Sequence, residues 1–149
     1  MPETITVTLT RFQEPDWLVW ETLESLSHQQ GVDISVLYLE QSDDATLRSR
    51  IAQLNRENVR FTCEQIPAVS LSYARNYAVE HAGTDVVLFI DSDAIADADW
   101  AANLSRPLLQ GQAAISGSRI LPKWHRKPLA IAKSRLVFEQ YSLLDLGDD

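Results

Sequence analysis

The sequence is poor in cysteine and has no long apolar run. Cys63 is the single cysteine among 149 residues, which excludes an internal disulfide and a cysteine-cluster metal site. No apolar stretch approaches the roughly 20 residues of a membrane span. The beginning of the chain, MPETITVTLT, lacks the basic and apolar regions of a signal peptide. These absences predict a protein of a reducing, cytoplasmic compartment.

Basic residues are also scarce. Lysine and arginine together number 13 against 21 acidic residues, and the formal net charge of −8 argues against nucleic acid as a partner. Six of the 13 basic residues are concentrated in residues 119–135, RILPKWHRKPLAIAKSR. This segment, extended to residue 146, predicts a peripheral contact with the inner face of a membrane, an anionic lipid-phosphate acceptor or a second copy of the chain. Alternatively, it is a solvated loop followed by an amphipathic helix.

The order of apolar patterns indicates one α/β domain over residues 1–149. Hydrophobic residues make up 45% of the chain, enough for one core but short for two. Alternating or continuous apolar runs predict strands at 5–9, 34–39, 59–63, 86–90 and 113–116. Helical spacing and turn residues predict helices with N-caps at Asp16, at Ser70 or Ser72 and at Asp97, and further helices near Leu47 and from Pro128. Strands that alternate with helices predict a mainly parallel sheet with helices on both faces.

Two carboxylates follow the strongest predicted strand. In VVLFIDSDAIADADW, the apolar run ends directly at Asp91 and Asp93. On an extended stretch these side chains point the same way, and their charges repel unless a cation lies between them. Mg²⁺ or Mn²⁺ suits this position, because such ions often take one or two carboxylates plus substrate phosphates. The alternative is that both acids are solvated or that one caps a helix.

Several segments, taken in order, resemble the inverting family 2 glycosyltransferases of the GT-A fold. FIDSDAIADADW resembles the family's DXD segment, and SLSYARNYAVEHAGTDVVLFIDSD resembles the helix and strand that lead into it. The opening ITVTLTRFQEPDWL and the later AISGSRIL resemble other family segments, so the likeness covers about residues 4–122. The resemblance implies a three-layer α/β/α, Rossmann-like fold and the transfer of a sugar from a nucleotide-diphosphate donor to an acceptor hydroxyl.

The resemblance also implies roles for individual residues. Thr10, Glu14 and Glu40 match positions that line the family's nucleoside pocket, although the family usually has aspartate rather than glutamate at the last. Arg75 matches the arginine that faces the nucleotide. Asp91 matches a residue that reaches the sugar or ribose, and Asp93 the ligand of Mn²⁺ or Mg²⁺. The alternatives are a plain strand-end hydroxyl for Thr10, a solvated Glu40 and an Arg75 paired with Glu80 or another nearby acid.

The acceptor side is the less complete half. In the resembled family a general base follows well after the DXD strand, whereas this chain ends soon after it. Its acceptor side after about residue 120 is therefore expected to be reduced or incomplete, with a saccharide or lipid-linked saccharide as acceptor. The base candidates are Asp148 and Asp149, with Glu139 and Asp145 behind them. A non-catalytic nucleotide-sugar-binding module of the same fold is the alternative function. A nucleotidyltransferase is less favoured, because no glycine-rich basic loop follows the first strand.

Overall fold

A computed structural model describes residues 4–43 and 46–123 of the chain. The chain divides into two compact units, residues 1–116 and 117–149. The part of the second unit that is described, residues 117–123, contains no helix or strand. Within the described ranges, none of the helices has the length and apolarity of a membrane span. The predicted helix from Pro128 and the base candidates Glu139, Asp145, Asp148 and Asp149 lie outside the described residues.

The first unit is built on a four-stranded parallel sheet. Its strands are β1 (Thr4–Arg11), β2 (Asp33–Glu40), β3 (Val59–Gln65) and β4 (Val87–Phe89), in the spatial order β3-β2-β1-β4. The helices are α1 (Asp16–Ser27), α2 (Leu71–His81) and α3 (Trp100–Leu109). The four strands predicted up to residue 90 are therefore confirmed. Because β1 has its sequence neighbour β2 on one side and β4 on the other, the order of the sheet reverses between β1 and β4.

The two faces of the sheet are covered by different helices. The odd-numbered residues of β1, Ile5, Val7 and Leu9, share one core cluster with Leu23 of α1 and Leu104 of α3. A smaller cluster on β2 is formed with α2, whose Ala74 and Ala78 are fully buried. The predicted arrangement of helices on both faces is thus confirmed.

The even-numbered residues of β1 form a row of threonines, at 4, 6, 8 and 10. Side chains alternate across a strand, so these hydroxyls lie on the opposite face from Ile5, Val7 and Leu9. Thr6 and Thr8 are buried, whereas Thr10 is partly exposed near the carboxyl end of the strand. This row places polar groups against a face that α2 covers.

Two predicted elements differ in the structure. The segment 113–116 is not a strand, because the Ala113 amide donates to the Pro107 carbonyl at the end of α3 and Ile115 is 89% exposed. The helix expected near Leu47 is a turn followed by a single 3₁₀ turn, Ile51–Leu54, with i→i+3 hydrogen bonds such as Arg50 to Leu47. Its apolar residues are nevertheless buried as predicted, because Leu47, Ile51 and Leu54 pack into the main core.

Two of the predicted helix caps are wrong and one is confirmed. Pro15, not Asp16, occupies the N-cap of α1, since Asp16 is turned to an ion pair with Arg11. Asp99, not Asp97, precedes α3, while the Asp97 carbonyl accepts the Trp100 amide. Ser70 caps α2 through a hydrogen bond from the Tyr73 amide, 3.0 Å long.

Candidate functional site

A cavity of about 320 Å³ opens at the carboxyl ends of β1 and β4. Open parallel sheets bind ligands at the place where the strand order reverses, and this cavity lies there. Its lining comes from β1, the loop after β1, α2 and the segment after β4. Five of the predicted site residues are brought together in its wall, namely Thr10, Glu14, Arg75 and the acid pair Asp91 and Asp93.

The acid pair lies in a turn rather than on the strand. β4 ends at Phe89, and the Ala94 amide donates to the Asp91 carbonyl over 3.1 Å. Asp91 and Asp93 are exposed, whereas Ser92 between them is 5% exposed. The reasoning from strand alternation is therefore wrong in its premise, although both acids line the same cavity.

The segment that follows the acid pair is fixed to the end of α1. The Gln29 side chain donates to the Asp97 carbonyl over 2.7 Å and accepts from the Ala101 amide over 2.9 Å. The Gln30 amide donates to the Ala98 carbonyl over 2.7 Å. The buried Gln29 side chain thus uses both its amide nitrogen and its amide oxygen in hydrogen bonds to this segment. These bonds order the loop between β4 and α3.

Arg75 faces the acid pair from α2. Its Nη2 lies 3.4 Å from Asp91 Oδ1, and its guanidinium carbon lies 6.0 Å from the centre of the Phe89 ring. The ion pair is with Asp91 and not with Glu80. Both side chains are largely exposed, Arg75 at 48% and Asp91 at 73%. Such a pair adds little to stability and leaves the cationic group accessible from the cavity.

Glu14 organises the loop that follows β1. Its carboxylate accepts hydrogen bonds from the backbone amides of Phe12, at 2.8 Å, and Gln13, at 3.1 Å. Burial alone would raise the pKa of Glu14, but these amides and the Ser92 side chain outweigh it, so the pKa lies below its ordinary value. Glu14 is therefore an anion that is held by the loop and lies beside the turn of residues 91–94 (the acid turn), which carries Asp91 and Asp93.

Glu40 is placed differently from the other predicted residues. It is 2% exposed, so the alternative of a solvated Glu40 is wrong. Its carboxylate accepts from Arg11 over 3.3 Å, from the Tyr38 hydroxyl and from both the amide and hydroxyl of Ser42. It does not line the cavity. Its role as a direct contact to the nucleoside stays a prediction, and what the structure shows is a buried ionic network.

Arg11 holds this network together. It is 5% exposed, and it bonds Asp16 over 2.6 Å and the Glu14 carbonyl over 2.9 Å as well as Glu40. Burial opposes its charge, yet the Glu40 carboxylate, the Tyr38 hydroxyl and the Asp16 carboxylate together outweigh that cost, and the pKa of Arg11 is raised. Arg11 was not among the predicted site residues. Its place at the carboxyl end of β1, three residues before Glu14, was the one signal available for it.

Thr8 is another lining residue that the sequence reasoning missed. It is 2% exposed, and its hydroxyl is the buried side-chain polar atom without a hydrogen-bond partner among the described residues. It lies on β1 opposite Phe89 in the sheet register, in the wall of the cavity. The threonine row of β1 was the available signal, because a polar residue at every second position is unusual for a central strand.

The donor set at the acid turn suits a hard cation that a substrate helps to hold. Across residues 4–43 and 46–123, no three His, Cys, Asp or Glu side chains form a group that could enclose a metal ion. Two exposed carboxylates beside an open cavity nevertheless fit Mg²⁺ or Mn²⁺, which keep water and phosphate ligands and need few from the protein. A closed structural metal site is excluded in this part of the chain, whereas a shared site is compatible with it.

Solved glycosyltransferases have the same fold. S. aureus TarS 1–349 in complex with UDP-GlcNAc matches with a TM-score of 0.59 and 21% identity, covering 72% of this chain and 31% of that one. The mannosyltransferase PcManGT from Pyrobaculum calidifontis, in complex with GDP-Man and Mn²⁺, matches with a TM-score of 0.54 and 22% identity, covering 64% and 30%. The chain thus spans about a third of the length of these two proteins. No curated protein sequence matches it.

The likeness to these structures confirms the predicted GT-A, Rossmann-like α/β/α fold. The family model described as Glycosyl transferase family 2 matches residues 7–145, which is nearly the whole chain. It runs from the middle of β1 through α3 and includes every predicted site residue except Asp148 and Asp149. The chain therefore belongs to glycosyl transferase family 2.

Proposed function

We propose that this glycosyltransferase-family chain binds a nucleotide-diphospho-sugar together with Mn²⁺ or Mg²⁺ at the cavity between β1 and β4, and transfers the sugar to an acceptor hydroxyl with inversion. The observation that carries the proposal is the meeting of Arg75, Asp91 and Asp93 in one cavity wall at the reversal point of the sheet. A metal ion held by the two aspartates, together with the guanidinium of Arg75, would place two positive groups on one wall, where they can bind the negative charges of a diphosphate. TarS and the mannosyltransferase, which share the fold, were solved with nucleotide sugars bound.

The residues of this chain divide the binding work. Asp93, with Asp91, would hold the ion, which supplies Lewis-acid stabilisation of the leaving diphosphate. Arg75 adds a fixed positive charge at the same wall. Thr10 and Glu14 lie at the end of β1, where Thr10 can bond the nucleoside portion and Glu14 shapes the loop. Glu40 would then act indirectly, because its carboxylate is already bonded to Arg11, Tyr38 and Ser42.

A nucleotide-sugar-binding module without transfer activity is the second candidate. In the described residues, the carboxylates of the cavity wall are Glu14, Asp91 and Asp93. Each already has a role in the proposed donor site, so none is left there to act as the base that deprotonates an acceptor. Both candidates predict metal-dependent nucleotide binding, and only the first predicts turnover.

Calorimetry tests the donor site directly. UDP and GDP are titrated into the full chain with and without Mn²⁺, using wild type, Asp93→Ala and the control Asp85→Ala. Asp85 is an exposed acid before the amino end of β4, away from the cavity. We expect binding that requires Mn²⁺, that Asp93→Ala abolishes and that Asp85→Ala leaves unchanged. Binding that neither the metal nor Asp93→Ala affects would refute the site.

Turnover assays separate the two candidates. UDP-GlcNAc and GDP-mannose are incubated with the chain and Mn²⁺, and release of UDP or GDP is followed over time. Hydrolysis or transfer that Asp93→Ala abolishes supports the enzyme. Tight binding without any release of the nucleoside diphosphate supports the binding module instead.

A further inference from the structure

Thr22 is a buried polar residue on the apolar side of α1. Its neighbours on that side, Val19, Leu23 and Leu26, are fully buried in the main core, and Thr22 itself has no exposed surface. A threonine inside a helix usually bonds a carbonyl one turn earlier. Thr22 instead donates its hydroxyl to the Ser92 carbonyl over 2.9 Å, across 70 residues of sequence. That contact joins the core helix to the acid turn.

Ser92 is held from two directions. Its carbonyl accepts from Thr22, and its side chain lies near enough to the Glu14 carboxylate to help lower the pKa of that group. Because Asp91 and Asp93 flank Ser92 in the chain, fixing its peptide groups fixes the main-chain positions from which both exposed carboxylates extend. The buried residue therefore anchors the two exposed ones.

A second hydroxyl of α1 extends the attachment. Ser25 lies one turn after Thr22, and its Oγ accepts the Ala96 amide over 3.1 Å. With Gln29, two residues beyond the end of α1, it forms a polar row at spacings of three and four residues, and each member bonds the segment 92–101. Residues three and four apart share a helix face, so one face of α1, continued by Gln29, binds this segment at several points.

The loop needs such attachment because it is strongly acidic. Asp91, Asp93, Asp97 and Asp99 place four negative charges within nine residues. Like charges at this spacing repel and favour a spread loop unless hydrogen bonds oppose them. A turn that is already ordered before a cation binds loses less conformational entropy on binding, and it therefore binds the cation more tightly.

We propose that Thr22 is a positioning residue, whose hydrogen bond to the Ser92 carbonyl sets Asp91 and Asp93 for cation and diphosphate binding. The identity of the ligands rests on the proposed function, whereas the positioning of the acid turn by Thr22 does not. Thr22 touches neither ligand in this scheme and acts through Ser92. The hydroxyl, not the methyl group, is the part that matters.

Thr22→Val tests the inference, since it removes the donor at nearly constant shape. Thr22→Ser restores a hydroxyl, and Ser27→Ala is the matched control because the Ser27 hydroxyl is buried on α1 but bonds its own helix at the Glu24 carbonyl. Calorimetry with Mn²⁺ and UDP or GDP should show the dissociation constant rising roughly 10- to 100-fold in Thr22→Val, as for other residues that orient metal ligands. Thr22→Ser and Ser27→Ala should stay near wild type.

Amide hydrogen exchange without ligand gives an independent readout. The amides of Ala94 and Ala96, which bond Asp91 and Ser25, should exchange about tenfold faster in Thr22→Val and not in Ser27→Ala. Ser25→Ala serves as a second variant if Thr22→Val does not fold, and it should speed exchange at Ala96. Unchanged exchange together with unchanged affinity would overturn the inference. Wild-type protein that binds neither nucleotide with Mn²⁺ would refute the proposed function, while the exchange result would still decide the role of Thr22.

Discussion

Arg75 of α2 and Asp91 after β4 form an ion pair, with 3.4 Å between Nη2 and Oδ1. The pair joins a helix on one face of the sheet to the acid turn at its edge. Because both side chains are largely exposed, water screens their attraction and the pair is worth about 0–1 kcal/mol. What the pair does for the protein is to place the guanidinium of Arg75 beside the cavity.

Arg75→Gln should therefore separate binding from stability. We expect the midpoint of thermal unfolding to stay near wild type, since an exposed pair contributes little. The dissociation constant for UDP or GDP with Mn²⁺ should rise about tenfold, the effect of one lost charge-assisted contact. Calorimetry and thermal unfolding measure the two quantities. Arg60→Gln, an exposed arginine of β3, is the control, and equal weakening in both variants would contradict a specific role for Arg75.

Glu40→Ala should destabilise the protein strongly. The change removes the buried one of the two carboxylates that pair with Arg11, and with it the acceptor of the Tyr38 hydroxyl, and breaking a buried ion pair typically costs about 3–5 kcal/mol. Urea unfolding gives the free energy directly, with Glu57→Ala as the exposed control. A loss below about 1 kcal/mol, combined with weaker nucleotide binding, would instead favour a direct contact between Glu40 and the nucleoside.

Thr8→Val and Thr6→Val should change stability in opposite directions. Both threonines are buried on the same face of β1, but the Thr6 hydroxyl bonds Thr84 over 2.8 Å while the Thr8 hydroxyl has no partner among the described residues. Removing an unpaired buried hydroxyl should stabilise the free protein, and removing a paired one should destabilise it, each by about 1 kcal/mol. Urea unfolding of the two variants checks the signs. A loss of stability in Thr8→Val would show that its hydroxyl is satisfied in solution.

The stability of the protein should fall on acidification, in part because of Glu14. Its folded-state pKa lies below the ordinary value of 4.5, so the ionised carboxylate stabilises the fold. This contribution is complete above about pH 4.5 and is lost as the pH falls through the lower, folded-state pKa. Unfolding free energies of wild type and Glu14→Gln, measured between pH 3 and pH 7, should therefore converge at low pH. Parallel curves would mean that Glu14 does not couple protonation to folding.

Local patterns in the sequence were sufficient for the parallel sheet and for the gathering of the acid pair. Apolar periodicity marked β1 to β4, and parallel strands necessarily bring their carboxyl ends to one edge. Thr10 lies near one such end, and Asp91 and Asp93 follow another, so their shared cavity followed from topology alone. The family match over residues 7–145 agrees with the resemblance found in these same segments.

Hydrogen-bond partners were beyond the reach of the sequence, because they depend on residues that are distant along the chain. Arg11 pairs with Glu40 across 29 residues of sequence, and Thr22 reaches Ser92 across 70, neither of which a local pattern reveals. The sequence by itself determined which segments are strands and which edge carries the charge, since side-chain periodicity and strand direction are local properties. Only the tertiary structure decided which polar groups are already satisfied and which remain for a ligand, because satisfaction depends on the neighbours that folding brings together.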